Sequence, residues 1–231
     1  MSIKTFFSYI LPSIIIIAHI IIINKILFNM RNKILLICTV IISILFLRNT
    51  IMAKNQYEIN IDFNNTKYKL LNEKINRKLD SIIKDFKKYI PDINQTYTLE
   101  ITHEYYEYKD YLSYVFFIES YTGGAHPNHK IWTITYDKNS NSIIDIDYLI
   151  CKEPNILNIF SRSSRNKLFY NKNIVDTNMM LEGTKPSIDN FSNFAFSKDG
   201  IILFFEYYQI APYSSGEFKV TIPYNKFKNI L

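Results

Sequence analysis

The chain is organised around one short motif, Ser120-Tyr-Thr-Gly-Gly-Ala-His-Pro-Asn-His129. It holds two of the chain's five glycines side by side, and a Gly-Gly pair followed by proline predicts a turn or loop. Strand-like segments flank it, at Tyr111–Glu119 and Ile131–Tyr136. We therefore predict that a glycine-dependent corner, Gly123–Asn128, joins two strands of a sheet and presents a histidine and an asparagine. These residues are called the Gly-Gly corner below.

Hydrophobic periodicity on both sides of this motif predicts the other elements. Apolar residues recur at helical steps from Leu71 to Ile90, where Pro91 would end the helix, and Ile156–Tyr170 predicts a second helix. Ser197–Gly200 is typical of a hairpin turn. Strands are expected at 57–61, 97–102, 143–146, 193–196, 201–208 and 217–222, irregular chain at 171–190, and a short terminal helix at 223–231. Hairpins without regular βαβ units favour an α+β fold, a mostly antiparallel sheet packed with two helices.

The first 53 residues differ in composition from the rest and point to a membrane. They contain no Asp, Glu or Gly and include two apolar runs, at 5–23 and 34–47. The first run has 19 residues, close to the ~20 that a spanning helix needs. The second has 14, which is short for a span and normal for the core of a signal peptide. We therefore predict a membrane-targeting region at 1–53, with one or two membrane helices, followed by a domain at 54–231.

Two topologies fit this region. If both runs span the membrane, the basic loop with Lys25, Arg31 and Lys33 is cytoplasmic by the positive-inside rule. If translation starts at Met30, the second run is a signal peptide that is cleaved near Ala53. Both topologies place residues 54–231 outside the cytoplasm.

Net charge and cysteine usage narrow the function classes. Of the 27 Lys and Arg residues, five lie in the first 53, which leaves 22 against 21 Asp and Glu in residues 54–231. This balance argues against a nucleic-acid partner. The two cysteines, Cys38 and Cys151, lie in different regions, so no disulfide within the domain is expected, and Cys151 is predicted to be a small buried residue.

Known catalytic motifs are missing from the sequence. It has no Gly-x-Ser-x-Gly, phosphate-binding loop, dinucleotide fingerprint or His-Glu-x-x-His. His126 and His129 are spaced as His-x-x-His, but a zinc site would need further ligands, and no paired motif supplies them. We expect no catalytic residue, metal or cofactor. Tyrosines near strand ends favour a binding surface instead; they are Tyr105, Tyr106, Tyr207, Tyr208 and Tyr213.

Four sequence pieces occur in the order typical of a known family. They are Tyr121-Thr-Gly-Gly-Ala-His-Pro-Asn128, Asp145-Ile-Asp-Tyr-Leu149 before a helix, Asn193-Phe-Ala-Phe-Ser-Lys-Asp-Gly200, and Tyr208-Gln-Ile-Ala-Pro-Tyr-Ser-Ser-Gly216 leading to Val220-Thr-Ile-Pro-Tyr224. Over roughly residues 55–231 the chain resembles the extracytoplasmic region shared by lysozyme-sensing anti-sigma factors (RsiV-like) and the non-catalytic N-terminal region of peptidoglycan deacetylases (PdaC-like). The resemblance implies an α+β domain outside the cytoplasm that binds a ligand in the cell envelope.

The chain departs from these relatives in two respects. Few residues precede the first apolar run, so no sigma-binding segment is expected, and no deacetylase catalytic domain is recognised. We therefore predict a membrane-anchored or exported cell-envelope binding module, with lysozyme or a peptidoglycan component as ligand. An envelope hydrolase that uses His126 and a purely structural envelope protein are the alternatives. The predicted ligand-binding residues are Tyr121, Gly123, Gly124, His126, Asn128 and Tyr213.

Overall fold

A computed structural model describes residues 14–22, 40–44, 57–88, 96–228 and 230. The chain divides into two compact units, Met1–Asn55 and Gln56–Leu231. In the first unit, residues 14–22 and 40–44 are helical. No helix within the described ranges combines the length and apolar character that a membrane crossing requires. The rest of the two predicted apolar runs, Cys38, Met30 and the predicted cleavage site lie outside the described residues, so the membrane anchor stays a prediction.

The second unit contains a five-stranded sheet, called sheet A. Its strands, in spatial order, are β1 (Tyr57–Ile61), β2 (Tyr97–Tyr108), β3 (Tyr111–Tyr121), β4 (Asn128–Asp137) and β5 (Ser142–Ile144). Strand β1 runs parallel to β2, and the other neighbours are antiparallel. The parallel pair is possible because helix α1 (Lys69–Lys87) lies between these strands in the chain and returns it to the same end of the sheet.

Helix α1 covers one face of sheet A. The predicted helical periodicity is confirmed: Leu71, Ile75, Leu79 and Phe86 are its buried residues. They pack in one cluster with apolar residues of β2, β3 and β4, including Phe116. Burial of each such side chain is worth about 1.5–3 kcal/mol, so this face holds the helix in place.

A three-stranded antiparallel sheet, called sheet B, covers the other face of sheet A. Its strands are β6 (Phe194–Ser197), β7 (Gly200–Phe205) and β8 (Phe218–Ile222), in that order. Every residue of β7 is buried. Ile202 and Phe204 meet sheet A, whereas Leu203 and Phe205 meet the helices on the far side. Those helices are α2 (Ile146–Lys152), α3 (Ile156–Leu168) and α4 (Thr177–Gly183).

The two sheets are joined by hydroxyl groups on the face of sheet A. The backbone N–H of Phe196 donates to Ser113 Oγ at 2.9 Å, and that of Phe194 donates to Thr133 Oγ1 at 3.0 Å. Ser113 Oγ also lies 2.9 Å from Thr135 Oγ1. Because β6 is an edge strand of sheet B, these N–H groups would otherwise be buried without partners.

The helix content exceeds the prediction of two helices. The segment 171–190, predicted to be irregular, contains α4 and the start of a 3-10 turn at Asp189–Phe191. Residues 145–149 were expected to precede a helix, but Asp145 caps α2 and the rest belongs to it. Both helices have seven residues, which is too short for a clear periodic signal.

Two smaller predictions are also wrong. The expected terminal helix is only a 3-10 turn at Tyr224–Lys226, which follows Pro223. Cys151 is exposed, because it lies in the last turn of α2, whose buried residues are Ile146 and Leu149. The α+β class, the mainly antiparallel pairing and the hairpin at 197–200 are confirmed.

Replacing Ser113 by alanine should destabilise the domain by about 1–3 kcal/mol, because the buried N–H of Phe196 loses its acceptor. Ser164→Ala is the matched control. Ser164 is also 0% exposed, but its Oγ has no hydrogen-bond partner among the described residues. The control should be neutral or stabilising in urea denaturation. Equal losses in both variants would show that the hydroxyl link between the sheets contributes nothing specific.

Candidate functional site

The Gly-Gly corner connects β3 to β4, as predicted, and depends on one of its two glycines. Gly123 has φ of 85°, in the left-handed region that favours glycine. Gly124 has no positive φ, and a Cβ added there would lie 3.6 Å from the carbonyl oxygen of His126, an ordinary contact. We expected both glycines to set the backbone of the corner. The structure corrects this expectation, because only the position of Gly123 requires a glycine.

A second loop, residues 206–216, follows β7 and is fixed by Gln209. Its side-chain amide donates to the carbonyl oxygens of Gly183 and Asn190, at 3.1 and 3.0 Å, and its Oε1 accepts from the N–H of Glu206. A Cβ on Gly183 would lie 1.9 Å from the carbonyl oxygen of Gln209. The end of α4 must therefore be glycine for this loop to reach its position.

The two loops meet in an aromatic cluster, called the His–Tyr cluster, composed of His126, His129, Tyr207, Tyr208 and Tyr213. The His126 ring stacks on Tyr213 with centroids 4.0 Å apart, and the His129 ring stacks on Tyr207 at 4.3 Å. Tyr208 is 55% exposed, and its backbone has a positive φ of 64°, which is uncommon for a bulky residue. The fold thus brings together aromatic rings that lie 78 to 87 residues apart in the sequence.

Hydrogen bonds order the rings of the cluster. His126 Nδ1 lies 2.9 Å from the carbonyl oxygen of Pro127; because a carbonyl only accepts, Nδ1 donates and carries a proton. Its Nε2 lies 3.3 Å from the hydroxyl of Tyr208. His129 Nε2 lies 3.0 Å from the hydroxyl of Tyr213. The cluster is therefore ordered by its own contacts.

Several glutamates lie near His129, on one side of the cluster. Glu119 Oε2 lies 3.6 Å from His129 Nδ1, and the strand register places Glu100 directly opposite Glu119. Burial raises the pKa of Glu217; Glu104 adds to this effect, while Lys219 and His129 oppose it. Burial likewise raises the pKa of the Tyr207 hydroxyl.

A groove of about 790 Å³ lies beside the cluster. It runs between α1 and β4, and its lining includes Asn128, His129, Lys130 and Trp132. The side chain of Asn128 is exposed and has no hydrogen bond to another described residue. The site therefore has two connected parts, the stacked rings and the open groove, with β4 between them.

Most of the predicted site residues fall in this region. His126 and Tyr213 are in contact, Gly123 shapes the corner, and Asn128 lines the groove. Tyr121 is half-buried at the end of β3, and no ring contact or side-chain hydrogen bond within 57–88 and 96–228 joins it to the cluster. Tyr207 and Tyr208, which were named among the tyrosines of a predicted binding surface, belong to the cluster. His129 was not among the predicted ligand-binding residues. Residues directly opposite each other on neighbouring strands share a face, so His129 lies beside Glu119 once the register is known.

The spacing of His126 and His129 does not form a metal site with acidic residues. No group of three or more His, Cys, Asp or Glu side chains capable of holding an ion occurs in the part of the chain that the structure describes. Of the two histidines, only His129 contacts a carboxylate, that of Glu119. The ring of His126 contacts Pro127, Tyr208 and Tyr213 instead. Three of the four ring nitrogens therefore form hydrogen bonds to separate neighbours, and His129 Nδ1 faces Glu119.

Comparison with known proteins identifies the domain class. Residues 147–225, which include sheet B and the 206–216 loop, match the family described as "Protein of unknown function (DUF3298)". The chain is 32% identical over 171 residues to peptidoglycan-N-acetylmuramic acid deacetylase PdaC of Bacillus subtilis, covering 68% of this chain. The chain thus contains a PdaC-like domain, as the sequence resemblance predicted. It spans 37% of the length of the deacetylase.

Two solved structures of DUF3298 proteins are also similar. One is from Bacteroides fragilis, with 20% identity and a TM-score of 0.45, and covers 67% of this chain and 62% of that chain. The other is from Pseudomonas aeruginosa, with 17% identity and a TM-score of 0.49, and covers 64% of this chain and 66% of that chain.

Alanine substitutions should separate the two glycines of the corner. Gly123→Ala should cost about 1–2 kcal/mol, because an L-residue is strained in the left-handed region. Gly124→Ala should cost less than half as much, since its Cβ meets only an ordinary contact. Urea denaturation of both variants measures the difference. A loss at Gly124 as large as that at Gly123 would contradict the backbone geometry described above.

Glu217→Gln should change the pH dependence of stability. Because the native pKa of Glu217 is raised, the native state holds its proton more tightly than the unfolded state does. Its contribution to stability is then present in acid and is lost as the pH rises through the raised native pKa. Relative to the parent protein, the variant should gain stability as the pH rises above about 4, the usual pKa of a glutamate. A difference in free energy of unfolding that is constant over this range would contradict the prediction.

Proposed function

We propose that the domain at 54–231 is a cell-envelope binding module that binds peptidoglycan fragments at the His–Tyr cluster. The observation that carries the proposal is the meeting of two loops, in which the ring of His126 stacks on that of Tyr213 at 4.0 Å. The likeness to a protein named as a peptidoglycan-N-acetylmuramic acid deacetylase supports the ligand class. The chain spans little more than a third of that protein, so binding rather than deacetylation is proposed.

The chemistry of the cluster suits an amino sugar. Sugar rings have apolar faces that pack on aromatic side chains, and their hydroxyl and acetamido groups need a few placed polar partners. The exposed Tyr208 and His126 supply ring surface. The Asn128 side chain supplies an amide donor and acceptor. Rings ordered before the ligand arrives lose little conformational freedom on binding, which favours affinity.

A second candidate ligand is lysozyme, and the acidic side of the cluster supports it. Glu100 and Glu119 lie opposite each other on neighbouring strands, and Glu217 lies near His129 and Glu104. A negative surface of this kind complements a basic protein and accelerates its association. The hydrolase alternative is less well supported, because no carboxylate contacts His126 among the described residues, and catalysis by that histidine would require an orienting acid.

We also propose a location for the domain. Residues 1–53 direct it to the membrane through the apolar runs 5–23 and 34–47, and the domain lies outside the cytoplasm. The lack of acidic residues in the first 53 positions supports this assignment. An extracytoplasmic location would bring the His–Tyr cluster into the compartment that contains peptidoglycan.

Alanine substitution of the stacked pair tests the site. We expect His126→Ala and Tyr213→Ala to weaken binding of a disaccharide-peptide fragment about tenfold or more, because each removes half of the stack. Tyr213→Phe keeps the aromatic ring and should lose less affinity than Tyr213→Ala. The measurement is calorimetric titration of the full chain in mild detergent, with the fold of each variant checked by circular dichroism.

Tyr170→Ala is the matched control, since Tyr170 is an 85% exposed tyrosine after α3, outside the cluster. It should bind as the parent protein does. Unchanged binding by folded His126→Ala and Tyr213→Ala variants would refute the placement of the site. Saturable binding of lysozyme without binding of fragments would replace the leading ligand by the second candidate. Absence of binding to both fragments and lysozyme would favour a structural role.

A further inference from the structure

A second groove extends the site along α1. A cavity of about 500 Å³ lies between α1 and strands β4 and β5, and it adjoins the groove of about 790 Å³ that contains Asn128. Lys78, Ser81, Trp132 and Ser192 line both cavities. Together they form one channel, called the α1 groove, whose combined size suits an extended ligand better than a single small molecule.

One wall of the α1 groove is basic. Lys74, Arg77 and Lys78 are spaced three and four residues apart on α1, so they share one helix face. All three are exposed, and no carboxylate lies within ion-pair distance of any of them in the described ranges. The acid that lines this part is Asp145, and its side chain already accepts from the N–H of Tyr148 at 2.9 Å. This wall therefore favours an anionic ligand.

The opposite wall is apolar and contains Trp132, the chain's single tryptophan. One face of its ring stacks on Phe116 at 5.1 Å, and Lys78 Nζ lies 5.9 Å from its centroid. Trp132 is half-buried, so part of the indole stays accessible. An anionic group bound to Lys78 would thus lie beside an aromatic surface, which is the combination that an acidic sugar requires.

The charge changes along the groove. Toward Asn128 the lining includes Asp85, Asp189 and Glu206 as well as Lys130. Asp85 pairs with Lys88 at 2.6 Å, and Glu206 accepts from the N–H of Ile131. The excess of positive charge is therefore confined to the part of the groove that begins at Lys74 and ends at Lys78. A ligand with spaced carboxylates fits this gradient better than one with a uniform, dense negative charge.

We infer that the α1 groove binds a peptidoglycan glycan strand whose stem peptides have been removed, with the freed lactyl carboxylates of its muramic acid residues at Lys74, Arg77 and Lys78 and a sugar ring against Trp132. This inference rests on the proposed function, because the strand would continue past Asn128 to the His–Tyr cluster. It adds that affinity increases with glycan length and depends on the carboxylates of the strand. Salt should weaken the attraction between these carboxylates and the three cations, since the cations lie at the surface.

Two oligosaccharides of equal length test the inference. One is a six-sugar glycan strand freed of its peptides, which carries muramic carboxylates; the other is the neutral hexamer of N-acetylglucosamine. We expect the full chain to bind the acidic strand about tenfold more tightly than the neutral hexamer at low salt. The double variant Lys74→Glu, Arg77→Glu should lose this preference. Trp132→Phe should moderately weaken the binding of both hexamers, because the smaller ring keeps the packing on Phe116 but offers the sugar less surface.

The matched control is Lys69→Glu, Lys84→Glu, which changes the charge of α1 equally at exposed positions outside the groove. It should keep the preference for the acidic strand. Equal affinity for the two hexamers, or an equal loss in both double variants, would overturn the inference. So would equally tight binding of a phosphate polymer such as teichoic acid, since it would show attraction to charge alone.

The same titrations distinguish a wrong assignment of the α1 groove from a wrong proposed function. If the disaccharide-peptide fragment binds at the His–Tyr cluster but the length and charge of the strand have no effect, only the groove assignment fails. If the parent protein binds neither the fragment nor the strand, the proposed function fails as well.

Discussion

The arrangement of the domain depends on how the edge of sheet B is satisfied. Strand β6 lies against the face of sheet A, and its outward N–H groups find acceptors in Ser113 and Thr133. An apolar face alone would bury these donors without partners, at a cost comparable to a lost hydrogen bond for each. Two hydroxyl side chains on this face of sheet A therefore determine where sheet B can lie on it.

The position of sheet B determines the position of the candidate site. The 206–216 loop leaves the end of β7, and Gln209 ties it to Gly183 and Asn190. The absence of a side chain at Gly183 lets α4 approach the loop backbone closely. Tyr207, Tyr208 and Tyr213 thereby reach the histidines of β4 and the Gly-Gly corner. A shift of sheet B would separate the two halves of the cluster, so stability of the sheet interface and integrity of the site are linked.

The candidate site combines two kinds of surface that suit one class of ligand. The His–Tyr cluster is a compact set of stacked rings in which both histidines, Tyr208 and Tyr213 form hydrogen bonds. The α1 groove is longer and carries cations without ion-pair partners in the described ranges. Ring stacking supplies shape, whereas the cations supply selectivity for charge. A glycan with acidic sugars would use both, and a basic protein would use only the acidic side of the cluster.

Local patterns in the sequence determined the elements that are long or sharply punctuated. The apolar period of α1, the strand-like segments of β1 to β4, the Gly-Gly corner and the hairpin at 197–200 were all predictable, because each depends on residues near one another in the chain. Helices α2 and α4 escaped prediction because seven residues give too little periodicity. Only the tertiary structure decided that β6 meets Ser113 and Thr133, and that His129 meets Tyr207. Those contacts join residues more than 60 positions apart, and long-range pairing is determined by packing of whole layers rather than by any local pattern.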